Sequence, residues 1–459
     1  MQGLRLALTR PLGVFVLAVL VRMLMALVLG LPAPISGDPA TEWAYAGDAI
    51  GQTRLAPMKV PNTPTWEWAY EQGAVSQSVL RGDGLGNPFR RPNGVFAAST
   101  GSTAWCGPVY PYLLASAVRT TGGLNRSTQW LVAGFHILLS AGIAVLLIAF
   151  ARAIGRPRLG AVSAVFWALH PLASYFAITV VWDSVLVAFL LLAAMTVLVR
   201  AGPLARCREL VVPGLLFGLA GLVNPAPLAL APAIAWYLFR DRKGSAGAAA
   251  VAAYGGCAFL VVLPWSARNA VVLGTPNFKA NLGVEMMVGN NEKADGAFYP
   301  WFHPAYNAKQ HALYVQLGEV DYGRHAMGEA RNWIAAHPTE FAQLSLKRVQ
   351  LFWFGWNPFK PLPLRSGIPH HRDLQGRVKW ASHFVTGLLA LLGCLVWRDR
   401  HRAGVLVRGA LVMFPLVYYM THVLERYRMP IEPFVVLAGS AAILWLRDRV
   451  VAGRTAARA

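Results

Sequence analysis

The sequence predicts an all-α polytopic membrane protein: a bundle of about ten transmembrane helices, interfacial helices, and an outer block between the bundle's two parts. Three observations predict it. Of 459 residues, 56% are hydrophobic and only 14% are charged. Several apolar runs approach the length of a bilayer-spanning helix. The net charge of +21 comes from basic residues that cluster at the ends of those runs, where the positive-inside rule puts them. The charge therefore reads as topology rather than as a nucleic-acid footprint. Of the four cysteines, Cys207, Cys257 and Cys394 fall in or beside apolar runs and only Cys106 lies in a polar loop. That distribution offers neither a disulfide framework nor a zinc spacing.

The first run, residues 12–31, follows Arg5 and Arg10 and reads as an uncleaved helix with its N-terminus inside. Arg22 sits at its middle, where a charge needs a partner, so it is expected to face the bundle interior. Residues 32–126 form a long outer loop, in which residues 66–80 read as an interfacial helix carrying Glu67 and Glu71. Spacing alone allows a solvated helix with both acids in water, or a site. The segment 108–117 is too short to span. Spans follow at 128–151, 159–179 and 181–200, with Asp183 at the outer end of the last. Residues 211–239 are broken by Asn224-Pro225-Ala226-Pro227 into two short helices with an outer turn. A seventh span, 246–264, leads to a second outer block containing helices at 326–337 and 341–354. Spans at 382–397, 403–424 and 431–446 finish the chain, with both termini inside. The expected division is 1–265, 266–380 and 381–459.

Chemistry gathers on the outer side. The carboxylates are Glu67, Glu71 and Asp183; the guanidinium groups are Arg268, Arg426 and Arg428. Arg426 and Arg428 lie outside against the usual charge bias, and Arg grips phosphate with a planar fork. Pairing of these arginines with Glu425, Glu432 or lipid head groups is the equal alternative. An acid beside such arginines suits transfer from a phosphate leaving group. His303, His325 and His337 are scattered and read as surface residues. No DxD motif is present, so no tightly bound structural metal is expected, and no cofactor is assigned; a divalent-cation requirement stays open.

The run Glu71-x-Gly73-x-Val75-x-x-Ser78-Val79-x-x-Gly82-x-Gly84-Leu85, then Pro88-Phe89, then Thr103-Ala104-Trp105-x-x-Pro108-Val109-Tyr110-Pro111-Tyr112, resembles bacterial GT-C glycosyltransferases of the protein-mannosyltransferase and aminoarabinose-transferase type (glycosyltransferase family 39). The likeness continues in Trp182-Asp183, Pro264-Trp265-x-x-Arg268-Asn269, Asn281-x-Gly283-x-Glu285, Gly318-Glu319-x-x-Tyr322 and Arg426-Tyr427-Arg428-x-Pro430. It implies transfer of a sugar from a polyprenyl-phosphate donor to a hydroxyl of a glycolipid, polysaccharide or protein at the outer face of a bacterial inner membrane. Glu71 would be the base, with Asp183 and Glu67 as further catalytic acids; Arg268, Arg426, Arg428, Tyr110 and Glu285 would hold substrate. Two departures stand out. Glu67-Trp68 replaces an expected Asp-Glu, and Cys106-Gly107-Pro108 lacks the Lys expected before the Pro-rich segment. A lipid-linked sugar carrier, which would not need Glu71, and a non-catalytic envelope-assembly protein are the competing readings.

Overall fold

The computed structural model describes residues 10–29, 41–44, 56–59, 70–90, 99–179, 181–242, 244–298, 300–355, 374–397 and 402–456. Glu67 lies outside them. Helix α1 (Pro11–Val28) starts on a proline, whose missing N–H is an orphan in the first turn anyway. Its buried residues Val14, Ala18, Arg22 and Ala26 recur every fourth position and form one stripe. As expected, Arg22 faces the interior. It donates from Nε to Ser140 Oγ (2.8 Å) and from its terminal nitrogens to the carbonyls of Ala168 and Trp167 (both 3.2 Å). Those carbonyls close α5 (Pro157–Leu169), which meets α6 (Pro171–Thr179) at a 52° bend. Pro171 cannot continue the hydrogen-bond ladder, and Arg22 satisfies the carbonyls freed there. The expected third span is thus a broken one.

Helix α4 (Arg126–Ala153) begins at Asn125, whose side chain accepts from Thr128 N (3.1 Å) while Thr128 Oγ1 accepts from Asn125 N (3.2 Å), a reciprocal cap. With α5 and the well-buried α7 (Ser184–Ala201) it builds the centre of the bundle. The break expected within residues 211–239 is present, between α8 (Val211–Val223) and α9 (Ala231–Phe239). Helix α10 (Ser245–Leu273) packs on α8 where Gly214 and Gly218 let the backbones touch: a Cβ at either would strike the Tyr254 or Ala258 carbonyl. The expected end of this helix near Pro264 is corrected. The proline removes one hydrogen bond inside the helix, which runs on to Leu273 and stops at Gly274 in the left-handed region (φ 69°). Helices α15 (Leu374–Val396), α16 (Gly404–Met413), α17 (Leu416–Met420) and α18 (Glu432–Ala456) complete the bundle.

Each of the ten expected spans corresponds to helix. Among the described residues six helices are long and apolar enough to cross a membrane, seven when the bent α5–α6 pair is taken as one; Ala226–Phe239 and Gly404–Met420 are shorter apolar helices. Helix α8, at 13 residues, is also short of a full crossing.

The second block contains α11 (Leu282–Gly289), α12 (Ala308–Leu317), α13 (Glu319–Ala336) and α14 (Pro338–Phe354). It shares a core with the first loop, since Phe89 and Trp105 pack among Val284, Tyr314 and Tyr322. His303 is corrected from surface to core. Its ring lies 5.6 Å from Phe89 and 5.4 Å from Trp105, and Nδ1 accepts from Ala305 N (3.1 Å), so the local turn satisfies a polar atom that burial would otherwise strand. His325 and His337 are exposed as expected. Among the described residues the extended pairings are one antiparallel pair in the first loop, β1 (Thr41–Ala44) with β2 (Ala56–Lys59), and isolated bridges.

Candidate functional site

Glu71 lies in the first turn of α2 (Tyr70–Leu80), which packs on α3 (Val109–Thr120). The solvated-helix alternative fails. Gln72, Val75, Ser76 and Ser78 are buried, and Glu71 is half-buried. Gln72 Nε2 donates to Asp183 Oδ2 (2.9 Å), and Asn224 Nδ2, at the α8–α9 break, donates to the same oxygen (3.3 Å). Asp183 occupies the N-cap position of α7 but its side chain caps nothing there. It is spent on tying α2 and the α8–α9 turn together.

Arg426 comes from the short 3-10 helix Glu425–Ile431 between α17 and α18. Its guanidinium lies 4.3 Å over the Trp182 ring and 5.6 Å from Tyr427, its Nε is buried without a hydrogen-bond partner, and among the described residues it makes no ion pair. Glu285 reaches in from α11. Its Oε1 accepts from Asn281 Nδ2 (2.7 Å), and its Oε2 lies 3.5 Å from Nε2 of the buried His422, which also contacts the Tyr427 hydroxyl (2.9 Å). Lys279 stands on the loop joining α10 and α11, within electrostatic reach of Glu71, Asp183, Glu285 and Cys106.

Three carboxyls and two cations thus share one half-buried cluster. Burial raises the Glu71 carboxyl, opposed first by Arg426 and less by Lys279. Burial raises Asp183, opposed first by Lys279 and then by the hydrogen bonds from Gln72 and Asn224. Burial also carries Glu285 to about 7, against Lys279 and with added repulsion from Glu71. Buried acids with perturbed carboxyls beside cations make this cluster a candidate functional site. Among the described residues no three His, Cys, Asp or Glu side chains are grouped to hold a metal ion.

The remaining expected residues lie elsewhere. Arg428 is sealed: Nε and one terminal nitrogen bind Glu432 (2.7 and 2.9 Å), the other terminal nitrogen donates to the Trp353 and His383 carbonyls (both 3.0 Å), and Thr386 Oγ1 accepts the last bond (2.6 Å). With Arg428 and Glu432 each 1% exposed and every Arg428 donor used, none is left for a phosphate. Arg268 donates to the carbonyls of Thr103 (2.8 Å) and Leu85 (3.0 Å), holding two stretches of the first loop rather than joining the cluster. Tyr110 is buried with its hydroxyl on His136 (2.9 Å), away from solvent.

Sequence reasoning missed four contributors. Gln72 and Lys279 are isolated polar residues without a pattern. His422 follows a short apolar helix and carries no spacing signal. Glu319, quoted only as part of a motif, takes bonds from Thr103 Oγ1, Ala104 N (2.6 Å) and Tyr314 OH (2.8 Å), so α13 fixes the loop that leads to Cys106.

No protein-family model and no curated protein matches the sequence. Solved structures do. The archaeal oligosaccharyltransferase AglB from Archaeoglobus fulgidus, in complex with an inhibitory peptide and a dolichol-phosphate, aligns over 97% of this chain with 13% identity and a TM-score of 0.52. The same organism's oligosaccharyltransferase in the apo form aligns over 97% with 12% identity and a TM-score of 0.53. In both cases the chain spans about half, 51%, of the larger protein. At such identity the likeness establishes architecture, not substrate. The chain is a multi-pass membrane protein with the GT-C fold of these glycosyltransferases.

Proposed function

We propose that this protein is a glycosyltransferase that moves a sugar from a polyprenyl-phosphate carrier to an acceptor hydroxyl, on a glycolipid, polysaccharide or protein, at the outer face of a bacterial inner membrane. The observation that carries the reading is Glu71, half-buried and within electrostatic reach of Arg426, whose buried Nε has no hydrogen-bond partner among the described residues. The acceptor oxygen forms a bond to the anomeric carbon as the sugar–phosphate C–O bond breaks. Glu71 takes the hydroxyl proton, and Arg426 meets the charge arriving on the phosphate oxygen. Asp183 is a positioning residue, holding α2 through Gln72. Glu285 faces the same space and holds substrate. Arg428 and Arg268 serve the scaffold, and Tyr110 ties α3 to α4 through His136.

The GT-C fold supports this reading, and AglB's complex with a dolichol-phosphate and an inhibitory peptide provides a precedent for a lipid phosphate on that fold. A carrier that moved the lipid-linked sugar intact would need the arginine but not a proton acceptor beside it. The test is to incubate purified protein with a panel of radiolabelled polyprenyl-phosphate hexoses and pentoses and a cell-envelope extract as acceptor. Release of free polyprenyl phosphate with at least one donor is expected. Donors that bind, or cross a liposome membrane, without release would overturn the enzyme reading in favour of the carrier.

A further inference from the structure

Trp182 and Asp183 are adjacent residues just before α7, and their side chains reach two different parts of the cluster. The Asp183 carboxylate accepts from Gln72 Nε2 (2.9 Å), and Gln72 is the chain neighbour of Glu71 on α2. The Trp182 ring lies against the Arg426 guanidinium, whose carbon stands 4.3 Å from the ring centroid. Consecutive Cα atoms are about 3.8 Å apart, so the ring that meets Arg426 is held beside the helix that carries Glu71.

Both rings that meet Arg426 are themselves fixed. Trp182 is half-buried on an apolar cluster that includes Tyr110, Leu114, Val187 and Leu190. Tyr427, 5.6 Å from the guanidinium, stacks on Tyr418 of α17 (4.7 Å, 25°), and its hydroxyl contacts His422 Nε2 (2.9 Å). A guanidinium over an aromatic ring is attracted through the π face, which leaves its in-plane N–H donors for other partners. Arg428 is held in the other way, with its donors ending on oxygens of Glu432, Thr386 and two backbone carbonyls. Stacking therefore fixes Arg426 without consuming the groups that a phosphate needs, and its buried Nε has no hydrogen-bond partner among the described residues. A loose arginine gives up its rotamer freedom when a ligand binds; a stacked one has given it up beforehand.

We propose that Trp182 is a positioning residue for the phosphate site: its ring holds the Arg426 guanidinium in the orientation that meets the donor's phosphate. The proposal rests on the glycosyltransferase reading above and extends it to a residue that acts through Arg426 rather than on the substrate.

The experiment measures binding of polyprenyl phosphate to purified wild type, Trp182→Tyr, Trp182→Phe and Trp182→Leu, each alone and combined with Arg426→Ala, with thermal unfolding in detergent alongside. Affinity should fall in that order, because the face of Trp attracts a cation best and an aliphatic side chain has no such face, and Trp182→Leu should bind about tenfold more weakly than wild type. With Arg426→Ala in place, the same substitutions should change affinity less than twofold, because no guanidinium remains to be held. A different order, or losses of the same size with and without Arg426, overturns the proposal and leaves Trp182 as packing. Where Arg426→Ala binds too weakly to measure, the order of the single variants decides; where Trp182→Leu does not fold, the Tyr and Phe variants decide by the same comparisons. A wild type that binds polyprenyl phosphate but transfers no sugar removes the glycosyltransferase reading and leaves the role of Trp182 at the phosphate standing. A wild type that binds no polyprenyl phosphate removes both.

Discussion

Arg426 and Arg428 share one turn of 3-10 helix, yet the fold treats them in opposite ways. Arg428 is buried with all its donors on Glu432, Thr386 and two backbone carbonyls, and Glu432 also contacts His170 (3.1 Å) at the α5–α6 break. It joins α18, α15, the end of α14 and the bent helix pair. Arg426 rests on the faces of Trp182 and Tyr427 with its Nε unpartnered, and three carboxyls lie near it without closing on it. The difference teaches that residue type alone does not separate scaffold from candidate site: Arg428 is saturated by the fold, whereas Arg426 is stacked on two rings with its Nε unpartnered among the described residues.

The largest expected effect falls on the saturated side. Arg428→Ala leaves Glu432 buried without its charge partner, which costs about 3–5 kcal/mol. Thermal unfolding in detergent should show it, and donor binding should fall only as folded protein is lost. A variant that unfolds like wild type would break the comparison. Arg426→Ala is the counterpart: it should unfold close to wild type while weakening polyprenyl-phosphate binding by about 1.5–3 kcal/mol, the worth of hydrogen bonds to a charged group. Equal stability losses in the two variants would mean that both arginines are scaffold.

A smaller effect is expected at Glu285. Its folded-state carboxyl, near 7, lies above the ordinary carboxylate range because burial disfavours the charge. The folded protein therefore holds this proton more tightly than the unfolded chain does. The stability it contributes is complete below the ordinary range and is lost as pH rises to about 7. Glu285→Gln should flatten that fall in a series of unfolding measurements between pH 4 and 8. An unchanged pH dependence would remove Glu285 from the cluster.

The sequence made the larger architecture legible because its signals are local. Apolar length, basic clusters and the Asn224-Pro225 break each mark a membrane helix or its end without reference to distant residues. Pro264 misled for the same reason: a proline is a local stop signal, but the α8–α10 packing carries the helix past it. Glu71 and Asp183 were legible through motif resemblance. That Gln72 and Asn224 would join α2 to Asp183 was not, since it depends on side chains far apart in the chain. The division of labour between Arg426 and Arg428 was also invisible, because the carbonyls that saturate Arg428 belong to Trp353 and His383. Lys279 gave no signal at all.

The central claim is that a carboxylate in the unsaturated cluster accepts the acceptor's proton, and Glu71→Gln tests it most directly because the side chain keeps its shape. Sugar transfer and donor binding should be measured on the same preparation. The account predicts wild-type expression, donor affinity within about twofold, and turnover lower by about a hundredfold or more, the usual scale of lost general-base help. Turnover close to wild type in Glu71→Gln, with transfer abolished in Asp183→Asn or Glu67→Gln instead, would contradict the assignment of the base.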